Sequence, residues 1–175
     1  MSETQSKSFK AWILTVSDSR SAGIHEDTVG PMLAKRLEKA GFEVHGIKIV
    51  HDNREKISDT LSQLADSKLA DLIITTGGTG VSPNDVTPEA TRDVISMEIP
   101  GIGECMRVCG SVKTPFAWLS RATAGVRGKC LIVNVPGSER GATESLDAIL
   151  PFLNHAIETA LGLTIECGKL LHNDK

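Results

Sequence analysis

This 175-residue chain contains no tyrosine, and four Phe and two Trp leave its aromatic content at 3%. Stacking platforms for single-stranded bases are therefore disfavoured. A basic field is missing too: 19 Lys plus Arg stand against 22 Asp plus Glu, a formal net charge of −3. General nucleic-acid binding needs such a field. No apolar run approaches the ~18 residues that would span a bilayer. The first ten residues are polar and lack the apolar core of a signal peptide. The chain thus reads as cytoplasmic, with neither nucleic acid nor membrane among its partners. Cysteines stand at 105, 109, 130 and 167 without a Cys-x-x-Cys or a histidine cluster. Cys105 and Cys109 would share a helix face, and they read as small packed thiols rather than half a zinc site. The histidines at 25, 45, 51, 155 and 172 show no metal-ligand spacing, and His51 reads as a bystander beside Asp52.

What is present is ordinary globular material, 40% hydrophobic and 23% charged. A chain of this length supports one domain that buries roughly 70% of its unfolded surface. We expect a loose arm over 1–10, one body over 11–162 and a tail over 163–175. AWILTVS (11–17), FEVHGIKIV (42–50), DLIITT (71–76) and KCLIVNV (129–135) read as strands. Helical spacing of Val29, Leu33, Leu37 and Ala40 predicts a helix capped by Asp27, with Pro31 in its first turn. A second helix, capped by Asp52 or Asn53, carries Ile57, Leu61, Leu64 and Ala65. A third starts near Pro88, and a broken one covers 103–112. The segment 117–126 is ambiguous. The last helix starts near Ser138, and Pro151 inside it is expected to kink or break it. Apolar strands alternating with helices predict an α/β fold, a mainly parallel sheet covered on both faces.

In such sheets ligands bind beyond the carboxyl ends of the strands. Four polar or glycine-rich stretches fall there: 17–19, 51–52, 77–85 and 136–138. The strongest is IITTGGTGVSPNDVTPEAT (73–91). Gly77, Gly78 and Gly80 permit positive φ and let backbone amides approach an anion closely, while Thr76, Thr79 and Ser82 add hydroxyls. The loop is neither a Walker A sequence nor Gly-x-Gly-x-x-Gly, and taken alone it is also what a tight turn needs. Asp85 beside a phosphate nest makes sense if Mg²⁺ bridges them, although Asp also caps turns. Asp52 could reach the same sheet edge or merely cap its helix, and Asp27 likewise. Ser17, Asp18 and Ser19 close the first strand. Pro136, Gly137 and Ser138 lead into a helix N-terminus where free amides can hold an anion. Ser120 and Arg121 lie in SRATAGVRG, where Arg121 or Arg127 could neutralise a phosphate or simply face solvent.

Taken in order, TVSDS (15–19), Asp-x-x-Gly-Pro (27–31), TTGGTG with DVTPEAT (75–80, 85–91), IPGIGE (99–104), TPFAWLSRATAGVRG (114–128) and LIVNVPGS (131–138) resemble the MogA/MoaB family of molybdenum-cofactor biosynthesis. That domain also occurs in gephyrin and a plant cofactor-synthesis protein. The resemblance covers about 11–162. It implies a three-layer α/β/α, molybdopterin-binding-domain-like fold, a homotrimer, and contact with other cofactor-biosynthesis proteins. Active members are molybdopterin adenylyltransferases that use ATP and Mg²⁺. In them the residues matching Asp52 and Asp85 are catalytic and metal-linked, the one matching Asp27 lies at the site, and the GGTG loop and PGS turn hold phosphates. One position departs: many active relatives carry Arg where this chain has Asn84, and Arg121 is the candidate to compensate. Two further readings stand beside the enzyme. A molybdopterin-binding protein without catalysis is the first, against which both aspartates are intact. A nucleotide pyrophosphatase of the competence-damage kind is the second, disfavoured by GGTGVS and the short chain.

Overall fold

The computed structural model describes residues 8–163. Its elements are β1 (Lys10–Val16), α1 (Asp18–Ser21), α2 (Val29–Lys39), β2 (Glu43–Val50), α3 (Arg54–Asp66) and β3 (Leu72–Thr76). They continue with α4 (Thr87–Val94), β4 (Met97–Glu98), α5 (Pro100–Ser111), a 3-10 turn (Pro115–Leu119), β5 (Ala124–Arg127), β6 (Cys130–Val135) and α6 (Glu139–Ala160). The strands form one six-stranded sheet in the order β2-β1-β3-β6-β5-β4. The four strands from β2 to β6 pair in parallel, whereas β4 and β5 run antiparallel.

Alternation along the central strands splits the core between the two faces. Ile13, Leu72, Ile74, Leu131 and Val133 pack with α2, α5 and α6. Leu14, Ile73 and Ile132 point the other way, onto Ile57 and Leu61 of α3 and Ala90 and Val94 of α4. The result is the expected three-layer α/β/α arrangement with a mostly parallel sheet. Buried Asn134 adds a polar tie: its amide nitrogen donates to Thr75 and Thr91 hydroxyls at 2.9 and 2.8 Å, linking β3, β6 and α4.

The structure departs from the sequence reading in four places. Phe9 and Lys10 belong to the body rather than the arm: Phe9 is buried beside Phe42, and Lys10 opens β1. The tail, with Cys167 and His172, lies outside the described residues apart from Leu163. β2 is an edge strand with no buried residue, since among the described residues no strand pairs with its outer side. β4 and β5 were not legible; they are too short to show a period, and β5 is set by its hairpin onto β6, turned by Gly128 at φ +59°. Finally, α6 runs unbroken through Pro151. Buried Leu146, Ile149, Leu153 and Ile157 on both sides of the proline hold the helix against the sheet. That packing outweighs the one missing hydrogen bond.

Among the thiols, Cys109 is exposed and Cys105 half-buried. Cys130 is buried at the start of β6, where burial pushes its pKa up to about 12. Among the described residues no helix is long and apolar enough to cross a membrane.

Candidate active site

α2 covers one face of the sheet on the way from β1 to β2, and α3 the other face on the way back from β2 to β3. The chain therefore switches direction between β1 and β3, where a crevice opens at the carboxyl ends of the strands. The glycine loop sits in this crevice. Gly77 has φ +107°, and a Cβ there would lie 2.2 Å from the Val16 carbonyl oxygen at the end of β1. A Cβ on Gly137, at the end of β6, would lie 3.1 Å from the Gly77 Cα. Three strand ends thus meet at backbone contact distance, and only glycine fits between them.

The two aspartates flank the same loop. A Cβ on Gly78 (φ +62°) would stand 3.3 Å from Asp52 Oδ1, and one on Gly80 would stand 2.9 Å from Asp85 Oδ2. Asn53, not Asp52, caps α3, so the Asp52 carboxylate is available for other work. It accepts from the Asp18 N–H at 2.8 Å, and the Asp52 N–H returns a bond to Asp18 Oδ1 at 3.1 Å. Burial holds the Asp52 carboxyl above its usual range; the Asp18 N–H opposes this, and the charges of Asp18 and Asp85 add to it. Asp85 accepts the Ser82 N–H at 2.8 Å.

Beside the loop lies a cavity of about 460 Å³. Its wall gathers Gly78, Thr79, Gly80, Asp85, Ser120, Pro136, Gly137 and Ser138 from the sequence-based set. Ser138 is the N-cap of α6, its hydroxyl accepting the Gly141 N–H at 3.2 Å, so the helix N-terminus faces the hollow. The charged residues of the wall are Asp85, Glu144 and Arg107. Sequence reading missed Arg107. One terminal nitrogen donates to the carbonyls of Ser120 and Ala122 at 3.2 and 3.1 Å, and the remaining guanidinium nitrogens have no protein partner among the described residues. A Cβ on Gly103 would fall 2.5 Å from the Ala122 carbonyl oxygen and 3.2 Å from this guanidinium, so the glycine leaves room for the bond between them. The four-residue spacing of Gly103 and Arg107 on a helix is the signal that could have found it.

Other residues of the set stand elsewhere. Thr76 is buried and gives its proton to the Pro136 carbonyl at 2.8 Å, so it braces the loop rather than facing the cavity. Gly77 is outside the cavity wall, and its N–H donates to the Val135 carbonyl at 3.2 Å. Ser17 caps α1, and with Asp18 and Ser19 it forms a shelf on the Asp52 side. Asp27 is bound to the fold: it accepts the Thr15 hydroxyl at 2.7 Å and the Gly30 N–H at 3.1 Å, outside the cavity wall. Arg121 does not line the cavity either; its guanidinium is bonded to the loop carbonyls of Gly80 and Asp85 and to the Glu89 carboxylate. Arg127 pairs with Asp66 on the opposite side of the sheet's rim.

The donor set suits a hard cation. Asp52 and Asp85 offer carboxylate oxygens on either side of the loop, close enough for the Asp85 charge to act on Asp52. Among the described residues no group of three or more His, Cys, Asp or Glu is placed to enclose a metal. Two carboxylates completed by substrate phosphate oxygens and water is the arrangement Mg²⁺ accepts, so the residues fit that ion.

Residues 12–155 match the family model described as "Probable molybdopterin binding domain". The chain belongs to this family. A molybdopterin adenylyltransferase of Helicobacter pylori strain J99 is 39% identical over 153 residues, covering 86% of each chain. That of Escherichia coli K12 is 36% identical over 140 residues, covering 78% of this chain and 71% of the relative. The crystal structure of the molybdopterin biosynthesis enzyme MoaB from Thermus thermophilus superposes with a TM-score of 0.83 at 47% identity, covering 88% of this chain and 97% of that one.

Proposed function

We propose that this family member transfers an adenylyl group from ATP to molybdopterin in molybdenum-cofactor biosynthesis. The carrying observation is that Asp52 and Asp85 both approach one glycine loop, with Asp85 also on the wall of a cavity that holds a helix N-terminus and Arg107. The relatives' activity supports the same reading.

Both reactants carry phosphate, so their approach is opposed until charge is countered. In the reaction a terminal phosphate oxygen of molybdopterin bonds to the α-phosphorus of ATP, and the bond to pyrophosphate breaks. No side chain has to form a covalent intermediate, so positioning and preorganised charge carry the catalysis. Amides of residues 78–80 and the start of α6 receive anionic oxygens, and the unpaired edge of Arg107 adds positive charge. Asp52 and Asp85 would hold Mg²⁺, which when bound neutralises phosphate charge. Asp18 keeps Asp52 oriented through the reciprocal backbone bonds.

Purified protein given ATP, MgCl₂ and molybdopterin is expected to form adenylyl-molybdopterin with one pyrophosphate per product. Molybdopterin binding without pyrophosphate release would make it a binding protein only.

The expected homotrimer belongs to this proposal too. Val108, Val112, Phe116 and Trp118 on α5 and the following turn are exposed, a concentration of apolar surface that self-association would cover. Light scattering should give three times the chain mass of 18.7 kDa; a monomer mass would count against it.

A further inference from the structure

The bonds of Arg121 give it a task other than holding substrate. Its backbone N–H donates to the Thr79 carbonyl at 2.8 Å, and its Nε donates to the Gly80 carbonyl at 2.6 Å. One terminal nitrogen donates to the Asp85 backbone carbonyl and the other to the Glu89 carboxylate on α4. All three guanidinium nitrogens are thus occupied by protein. The partners stand on both limbs of the loop: Thr79 and Gly80 before its tip, Asp85 after it. Between them, residues 81–84 are exposed. Besides Arg121, the tip is tied by its own short bonds, Ser82 N–H to Asp85 Oδ2 at 2.8 Å and Asp85 N–H to the Ser82 carbonyl at 2.9 Å. These bonds fix the tip to itself, not to the body. At its base the loop is fixed by Thr87, whose N–H donates to the Gly78 carbonyl at 3.1 Å. The guanidinium therefore couples the tip to α4.

We infer that Arg121 is a positioning residue that sets the distance between the glycine amides on one limb and Asp85 on the other. The planar fork suits this task, because it donates in three fixed directions at once. Lysine carries the charge but not the fork. Glu89 aims the fork from α4. The catalytic consequence rests on the adenylyltransferase reading; the mechanical one does not.

Two measurements separate them. Hydrogen exchange of residues 79–86 in the ligand-free protein should be roughly 10-fold faster in Arg121→Ala, and intermediate in Arg121→Lys. In the adenylyl-transfer assay, kcat should fall by about 30- to 100-fold, the scale of a small misplacement at a reacting centre. The ATP KM and the molybdopterin Kd should stay within about 3-fold of wild type, because a lost positioning contact acts on the transition state. Arg36→Ala, which removes an exposed ion pair with Asp147, should change none of these. A large rise in ATP KM or molybdopterin Kd with unchanged loop exchange would overturn the inference and make Arg121 a direct contact to that substrate. Unchanged exchange with unchanged kcat would overturn it as well. If Arg121→Ala does not fold, Arg121→Lys and Glu89→Gln carry the same readouts. If wild-type protein transfers no adenylyl group, the activity reading fails alone, and loop exchange still decides the clamp.

Discussion

Asp85→Asn is expected to fold as wild type and to lose roughly 10²- to 10³-fold in turnover, the scale seen when one preorganised electrostatic group is removed. The structural task of Asp85 is to accept the Ser82 N–H at 2.8 Å, and an amide oxygen can accept that bond equally well. What Asn lacks is the negative charge. In the proposed mechanism that charge anchors the cation between two anionic substrates, so its loss should fall on kcat and on the Mg²⁺ concentration needed for half-maximal rate. Thermal melting separates the two tasks: Tm should move by no more than about 3 °C, since a bond conserved in shape contributes little. Unchanged turnover at saturating Mg²⁺ would remove the assigned role.

Gly77→Ala should be the most damaging glycine-to-alanine change among the described residues. The added Cβ would sit 2.2 Å from the Val16 carbonyl oxygen, and the neighbour is strand backbone rather than a side chain that can turn away. The residue also has φ +107°, where an L side chain is strained. Strain and overpacking together cost about 3 kcal/mol or more. For a chain of this size that lowers Tm by roughly 6–12 °C. Gly23→Ala is the matching control. Gly23 has φ +72° and nothing within 4 Å of its Cβ position, so only conformational strain of about 1 kcal/mol is at stake. Calorimetry on the two variants should separate them clearly. Equal melting temperatures would mean that β1 and β3 do not meet as closely as the structure places them.

Much of this protein was legible in its residues because local patterns carried it. Continuous apolar runs marked β1, β3 and β6, since a parallel sheet is covered on both faces, and 3.6-residue spacing marked the long helices. Glycines at 77, 78 and 80 announced a backbone that must approach something closely. Asp52 stood out for following a strand, and Asp85 for standing beside the glycine loop. The elements that escaped, β4, β5 and the unbroken path of α6 past Pro151, depend on partners distant in the chain. A two-residue strand has no period to read, and a proline's local cost says nothing of the sheet that holds its helix down.

Short-range spacing and side-chain chemistry were thus enough to read the layers, and to propose the sheet edge for the site and the kind of donors it offers. Only the tertiary structure decided which charges face the cavity. It put Arg107 there and turned Arg121 inward onto the loop, for the reason that a guanidinium goes to whichever carbonyls and carboxylates the folded chain leaves within its reach.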